Sequence, residues 1–269
     1  LAPGERGIIV RNASAFQTRY GADARILGNY SGALSNGGER VAMMSANNVQ
    51  LQQFDYNDGG AWPGRADGNG SSLEIIDPNG DYNDPDNWLS SSEFGGSPGV
   101  AGNGPTDNVL INEVLANSEL PDVDTIELVN TTSSDIDISS WYISDSNDDY
   151  LKFRVPEHTV LSANGHVVFD ESDFNPDGTT LRLSSFGDDI WLLSGAASGR
   201  PSGFMDRVGF QATFAGQAVG RIPDANPDSD LVPMATLSQG RENVGHNVSD
   251  VIISEVHYNP SQAPDFGFE

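Results

Sequence analysis

The chain has 269 residues, 39 acidic against 13 basic side chains and a formal net charge of -26. So acidic a chain repels phosphate backbones, which excludes nucleic-acid binding by charge neutralisation, and no apolar run reaches the roughly 20 residues of a membrane-spanning helix. It contains no cysteine, so disulfides, thiolate metal sites and cysteine nucleophiles are excluded. In chain order, apolar residues alternate with polar ones in short runs bounded by Gly, Pro, Asn and Asp. Ile8 and Val10, Val41 and Met43, Phe54 and Tyr56, and Leu73 and Ile75 come first. Ile126 and Leu128, Ile136 and Ile138, Leu151, Phe153 and Val155, Leu181 and Leu183, and Ile190 and Leu192 follow. A period of two with one apolar face predicts sheets half-buried against each other. Turn signals about every 8–12 residues favour an antiparallel sandwich over a parallel α/β sheet.

The sequence also repeats. Asn108-Val109-Leu110-Ile111-Asn112-Glu113-Val114 returns, 142 residues later, as Asp250-Val251-Ile252-Ile253-Ser254-Glu255-Val256. The same spacing sets Asn259 against Asn117 and Glu269 against Glu127. A second echo joins the first third to the middle: Leu34 to Val41 matches Leu183 to Ile190, and Gly64-Arg65 matches Gly220-Arg221. Three units follow: 1–103, a unit without its opening strands; 108–248, a complete unit; and 250–269, the opening of another copy. Residues 100–107 form a Gly/Pro linker. Leu1 and the absence of a stop signal at the other end read as an excerpt from a longer protein. The acidic, cysteine-free composition suits an exported bacterial protein at the cell surface or outside the cell.

Ile111-Asn112-Glu113-Val114, then Ile126-Glu127-Leu128-Val129-Asn130, then the run from Ile138 to Asp145 through Trp141, resemble the lamin-tail domain. The stretch from Tyr56 through Trp62 to Gly99 resembles its back half. The resemblance implies two immunoglobulin-like β-sandwiches in tandem, an all-β protein without catalytic residues. It implies a spacer, adhesion or ligand-display module of a larger exported protein, with other modules of the same polypeptide and surface proteins or polysaccharides as partners. The alternative is an accessory carbohydrate- or substrate-binding module attached to a secreted hydrolase or kinase-like enzyme. Asp224-Ala225-Asn226-Pro227 replaces the family's usual Asp-Gly turn.

Four constellations invite chemical readings. Gly95-Gly96-Ser97-Pro98-Gly99 matches the nucleophile-elbow pattern, but Pro98 has no N–H for an oxyanion, so it reads as a turn. The four histidines, 158, 166, 246 and 257, lack metal-helix spacing. In the acidic loop, Asp224, Asn226, Asp228 and Asp230 place side-chain oxygens at alternate positions, a candidate Ca²⁺ site; Asx turns are the competing reading. Among Trp62, Trp88, Trp141 and Trp191, Trp62 beside Pro63 in a Gly-rich loop is the candidate sugar-stacking residue, and Trp141 is expected in the core. Glu113 and Glu127 form a carboxylate pair that a β-sandwich hydrolase would use, against a plainer reading as strand-edge acids. Finally, the unit 1–103 is expected to leave a sheet edge and an apolar face bare, to be covered by Val251, Ile253 and their neighbours, within one chain or between two.

Overall fold

A computed structural model describes residues 2, 4–104, 106–178, 180–196 and 198–247. The expected opening strand at 250–269 lies outside the described residues. The fold is nearly all β, as the alternation predicts.

The first part runs β1 (Ile8–Val10), α1 (Ala13–Tyr20), β2 (Ile26–Asn29), β3 (Glu39–Met44), β4 (Gln50–Tyr56), β5 (Leu73–Ile75) and β6 (Trp88–Ser90). These strands form three two-stranded sheets: β1 with β2 in parallel, β3 with β4, and β5 with β6. Helix α1 interrupts the period-two alternation on which the sequence reading rests. It starts because the Asn12 side chain accepts the Ala15 amide, and it ends at Gly21 with φ of 85°. None of its residues is buried, so it has no apolar stripe to detect.

The second part is the sandwich. It contains β7 (Val109–Leu115), β8 (Thr125–Asn130), β9 (Ile136–Asp137), β10 (Tyr142–Ser144), β11 (Phe153–Arg154), β12 (Val160–Leu161), β13 (His166–Asp170) and α2 (Glu171–Phe174). It continues with β14 (Gly187–Gly195), β15 (Pro201–Gln211), β16 (Val219–Arg221) and β17 (Leu231–Pro233). One sheet has the order β11-β10-β14-β15 and the other β13-β8-β7-β16-β17; β9 and β12 pair apart. Between the sheets lies a single apolar cluster. Val109, Ile111, Ile126 and Leu128 from one sheet meet Ile143, Ile190, Leu192, Val208 and Phe210 from the other. Trp141 joins this core as expected.

Trp191, out of phase with Ile190 and Leu192, sits on the opposite face of its sheet. There Tyr142, Tyr150, Leu193 and Phe204 bury it, and Phe94 from the first part packs against the group. The backbone continues this joint. The Phe94 amide donates to Ser202 O at 3.0 Å, and the Phe204 amide donates to Ser92 O at 2.7 Å, adding a short antiparallel rung to the free edge of β15. Gly203 permits the approach, since a Cβ there would stand 3.2 Å from Ser92 O. The Arg65 guanidinium lies over the Phe204 ring, 4.6 Å from its centroid. Phe94→Ala is expected to loosen this joint, costing about 1–3 kcal/mol for a half-buried aromatic. Hydrogen exchange checks it: the Phe204 amide should lose protection while Leu192 keeps its own.

Candidate functional site

The outer face of the five-stranded sheet carries a buried polar cluster built on the two motifs of β7 and β8. Alternation along β7 sends Val109 and Ile111 inward. A β-bulge between Ile111 and Glu113 then breaks the register, so Asn112 and Glu113 both face outward and Val114 returns to the core. Glu113 stands directly across from Glu127 of β8. Both are 1% exposed, because residues 234–247 cross over them as a strap.

The strap is tied to the carboxylates. Glu113 accepts the Ser238 amide at 3.1 Å and the Ser238 hydroxyl at 2.5 Å. Glu127 accepts the Gly240 amide at 2.6 Å and Asn112 Nδ2 at 2.9 Å. Asp224 Oδ1 accepts Asn112 Nδ2 at 2.9 Å and the Asn243 amide at 2.8 Å. Asn243 Nδ2 reaches Asn112 O at 3.1 Å and Arg221 O at 3.2 Å. Burial pushes the Glu127 carboxyl up to about 7, and it raises Glu113 against the pull of Ser238's hydrogen bonds. His166 Nε2 lies 3.4 Å from Asp224 Oδ2. The two line a cleft of about 290 Å³ with Asn164, Thr131 and Glu242.

A second centre adjoins the first. The Arg221 side chain is 3% exposed and gives all its donors to the protein. Nε reaches Ile111 O at 2.9 Å, and Nη2 reaches both oxygens of Asp206 at 3.1 and 3.0 Å. Nη1 meets the carbonyls of Asn226, Pro227 and Ser229 at 3.1, 3.1 and 2.5 Å. Asp206 in turn accepts the Ile111 amide at 2.7 Å. Burial holds the Asp206 carboxyl above its ordinary value, with Arg221 opposing it. Gly220 precedes this arginine because a Cβ there would sit 2.8 Å from Asn243 Nδ2 and 3.0 Å from Met234 Sδ.

The candidate Ca²⁺ residues therefore divide. Asp224 turns inward to Asn112, Asn243 and His166. Asn226 Oδ1 accepts the Asp228 amide at 3.1 Å, an Asx turn, while Asp228 is exposed and Asp230 stands at the end of the loop. The backbone oxygens of the loop converge on a guanidinium. No group of three or more His, Asp or Glu side chains among the described residues could hold a metal ion. Trp62 lies in the first part of the chain, half-buried, its ring 6.0 Å from Trp88. Trp88 is also 5.1 Å from Phe54 and 5.8 Å from Tyr82, so these aromatics form one cluster. Ser97 donates to Glu74, as a turn residue would. Sequence reasoning missed Arg221, Asp206, Ser238 and Asn243; the repeated Gly-Arg pair was the available signal for the first.

A comparison with protein families matches residues 103–211 to the Lamin Tail Domain. The match runs from the start of the sandwich to the end of β15 and includes the motifs around Ile111, Glu127 and Trp141. No curated protein matches the chain.

Proposed function

We propose that this chain is a non-catalytic structural and binding module of a larger exported protein, with its lamin tail domain as a rigid spacer and display element. An immunoglobulin-like fold of this kind suits structural or binding work. The observation that carries the reading is the fate of Glu113 and Glu127. Their spacing invites hydrolytic chemistry, yet both are sealed beneath the strap, with Ser238, Gly240 and Asn112 filling their oxygens. A general acid needs a path to a substrate proton, and these carboxylates hold their own chain instead. The test is to compare the chain with its Glu113→Gln variant against polysaccharide and ester substrates. Neither should turn substrate over above buffer, and turnover abolished by the substitution would overturn the reading.

The accessory, carbohydrate-binding reading is favoured by one feature, the partly exposed Trp62 beside Trp88. Tryptophan fluorescence titrated with oligosaccharides decides it: a change lost in Trp62→Ala supports sugar stacking. For Ca²⁺, the loop at 224–230 already surrounds Arg221. Millimolar Ca²⁺ or a chelator is expected to shift the melting temperature by less than about 1 °C, since only a ligand bound to the folded state stabilises it. A clear rise would assign a site to Asp228 and Asp230.

A further inference from the structure

The cleft of about 290 Å³ lies where β8, β13, the turn at 224–225 and the strap meet. Most polar groups along its wall already have partners. Asn130 Nδ2 donates to the carbonyls of Ser134, Leu161 and Ser162, and its Oδ1 accepts the Thr132 amide. The Thr131 hydroxyl donates to Asp107 O, and Asp224 Oδ1 is taken by Asn112 and Asn243. Asp224 Oδ2 and His166 Nε2 are left over. The His166 side chain is 9% exposed, yet Nε2 makes no hydrogen bond among the described residues and stands 3.4 Å from Asp224 Oδ2. The side chains of Asn164 and Glu242, which line the same cleft, also have no partner among the described residues.

A buried polar atom without a partner costs free energy until something completes it. The groups left over are acceptors: the free carboxylate oxygen of Asp224, the carboxylate of Glu242, the carboxamide oxygen of Asn164 and, in the tautomer protonated at Nδ1, the imidazole Nε2. No lysine or arginine among the described residues lines the cleft, so its two carboxylates repel an anion and attract a cation. A bare metal ion does not suit them. Its ligands must converge to about 2.0–2.2 Å, and these side chains form no such group. The volume instead admits a flat organic cation with part of its stem, and Val129 and Ala225 give the stem an apolar wall. Asn164 and Ala225 hold that wall with φ of 53° and 54°, a conformation rare for a residue such as alanine.

We propose that this cleft binds a guanidinium group, with Asp224 Oδ2 and His166 Nε2 as paired acceptors and the exposed Glu242 as counter-charge at the edge. A guanidinium presents five N–H donors in a rigid plane. Neighbouring donors of that plane diverge enough to reach two acceptors 3.4 Å apart, each at about 2.7–2.9 Å. An ammonium is a single point charge and leaves part of the set unmet. The protein already solves the same problem internally, where Asp206 and the loop carbonyls surround Arg221. Binding also bears on the strap, because Asp224 holds Asn243 through its other oxygen. The guanidinium comes from an arginine side chain of another polypeptide or from a small free guanidine. Its capture is independent of the spacer role.

The test titrates the isotope-labelled full chain with butylguanidine and follows the histidine imidazole signals by NMR. The His166 signals should move saturably, with a dissociation constant of about 1 mM or below, while the exposed His158 and His246 stay in place. Butylamine and glucose should bind at least about tenfold more weakly. Asp224→Asn should weaken butylguanidine by at least about tenfold. Because that variant also touches the strap, Glu242→Gln at its exposed position is the second arm and should weaken binding too. No saturable movement of His166, equal binding of butylamine or glucose, or unchanged affinity in both variants would overturn the proposal. An Ala-Arg-Ala peptide capped at both ends then reads the source. Tighter binding than butylguanidine assigns the cleft to an arginine of a polypeptide, and equal binding assigns it to a free guanidine; either supports the site.

Discussion

Replacing Arg221 with methionine should destabilise the sandwich by about 3–5 kcal/mol, the range for leaving a buried charge without its partner. The loss has two parts. Asp206 becomes an uncompensated carboxylate beside the Ile111 amide, and the carbonyls of Asn226, Pro227 and Ser229 lose their common donor. Asp206→Asn alone should cost less than Arg221→Met, since the guanidinium keeps its four carbonyl acceptors. The double variant should recover part of the loss of the arginine variant, because no lone carboxylate remains. It should not recover all of it, because the loop oxygens stay without a donor. Urea unfolding of the four proteins gives the coupling. A single-variant cost below about 1 kcal/mol for Arg221→Met would mean that water enters this centre freely.

The second large effect concerns pH. Glu127 has its folded-state value pushed up to about 7, from an ordinary value of 4.5, mainly by burial. A carboxyl raised by folding supports the fold fully below its unfolded value and loses that support as pH climbs. Its contribution therefore falls between about pH 4.5 and 7, by roughly 3 kcal/mol, because each tenfold weakening of the acid on folding corresponds to about 1.4 kcal/mol. Other groups face it. Glu113 across the sheet and Asp224 from the loop raise it, the hydrogen bonds from Asn112 and Gly240 lower it, and Arg241 on the strap acts on Glu113. Asp206 and Asp188 are raised too and tilt the whole protein the same way, whereas Asp137 and Asp170 are lowered by their serine hydrogen bonds and tilt it the other way. The difference between the natural chain and Glu127→Gln isolates one group from this background. The variant should show a shallower fall in stability between pH 4.5 and 7 and compare best with the natural chain above pH 7. Parallel stability curves for the two proteins would show that Glu127 does not titrate in this window.

The sandwich is readable because its physics is local. Residues such as Ile126 and Leu128, or Ile190 and Leu192, alternate along strands that pair with near neighbours, and the repeat at 142 residues marks its start. The polar cluster is half readable. Glu113 and Glu127 stand out as a pair, but their burial depends on the strap at 234–247, whose sequence has no period and whose ties to β7 span over a hundred residues. The acidic loop shows the limit most plainly. Alternate Asp and Asn side chains are visible in the sequence, whereas the carbonyls of Asn226, Pro227 and Ser229 are equally present in any sequence. Only the fold decides that they point at Arg221. The helix after Asn12 escapes because its stability rests on a cap and not on an apolar face. The rung at Phe94 escapes because Ser92, Glu93 and Phe94 resemble any loop beside a Gly-rich stretch.

That rung has a mechanical consequence. It joins segments on either side of the linker, so tension between the first part and the sandwich reaches the rung before it reaches the core of β7. The two amide hydrogen bonds, the Phe94 contacts with Tyr150 and Phe204, and the Arg65 stack on Phe204 yield first. Residues 95–107 can then straighten and supply up to about 45 Å of slack at roughly 3.5 Å per residue. The clasp thus acts as a fuse, taking the first stretch while the sandwich beyond it stays whole.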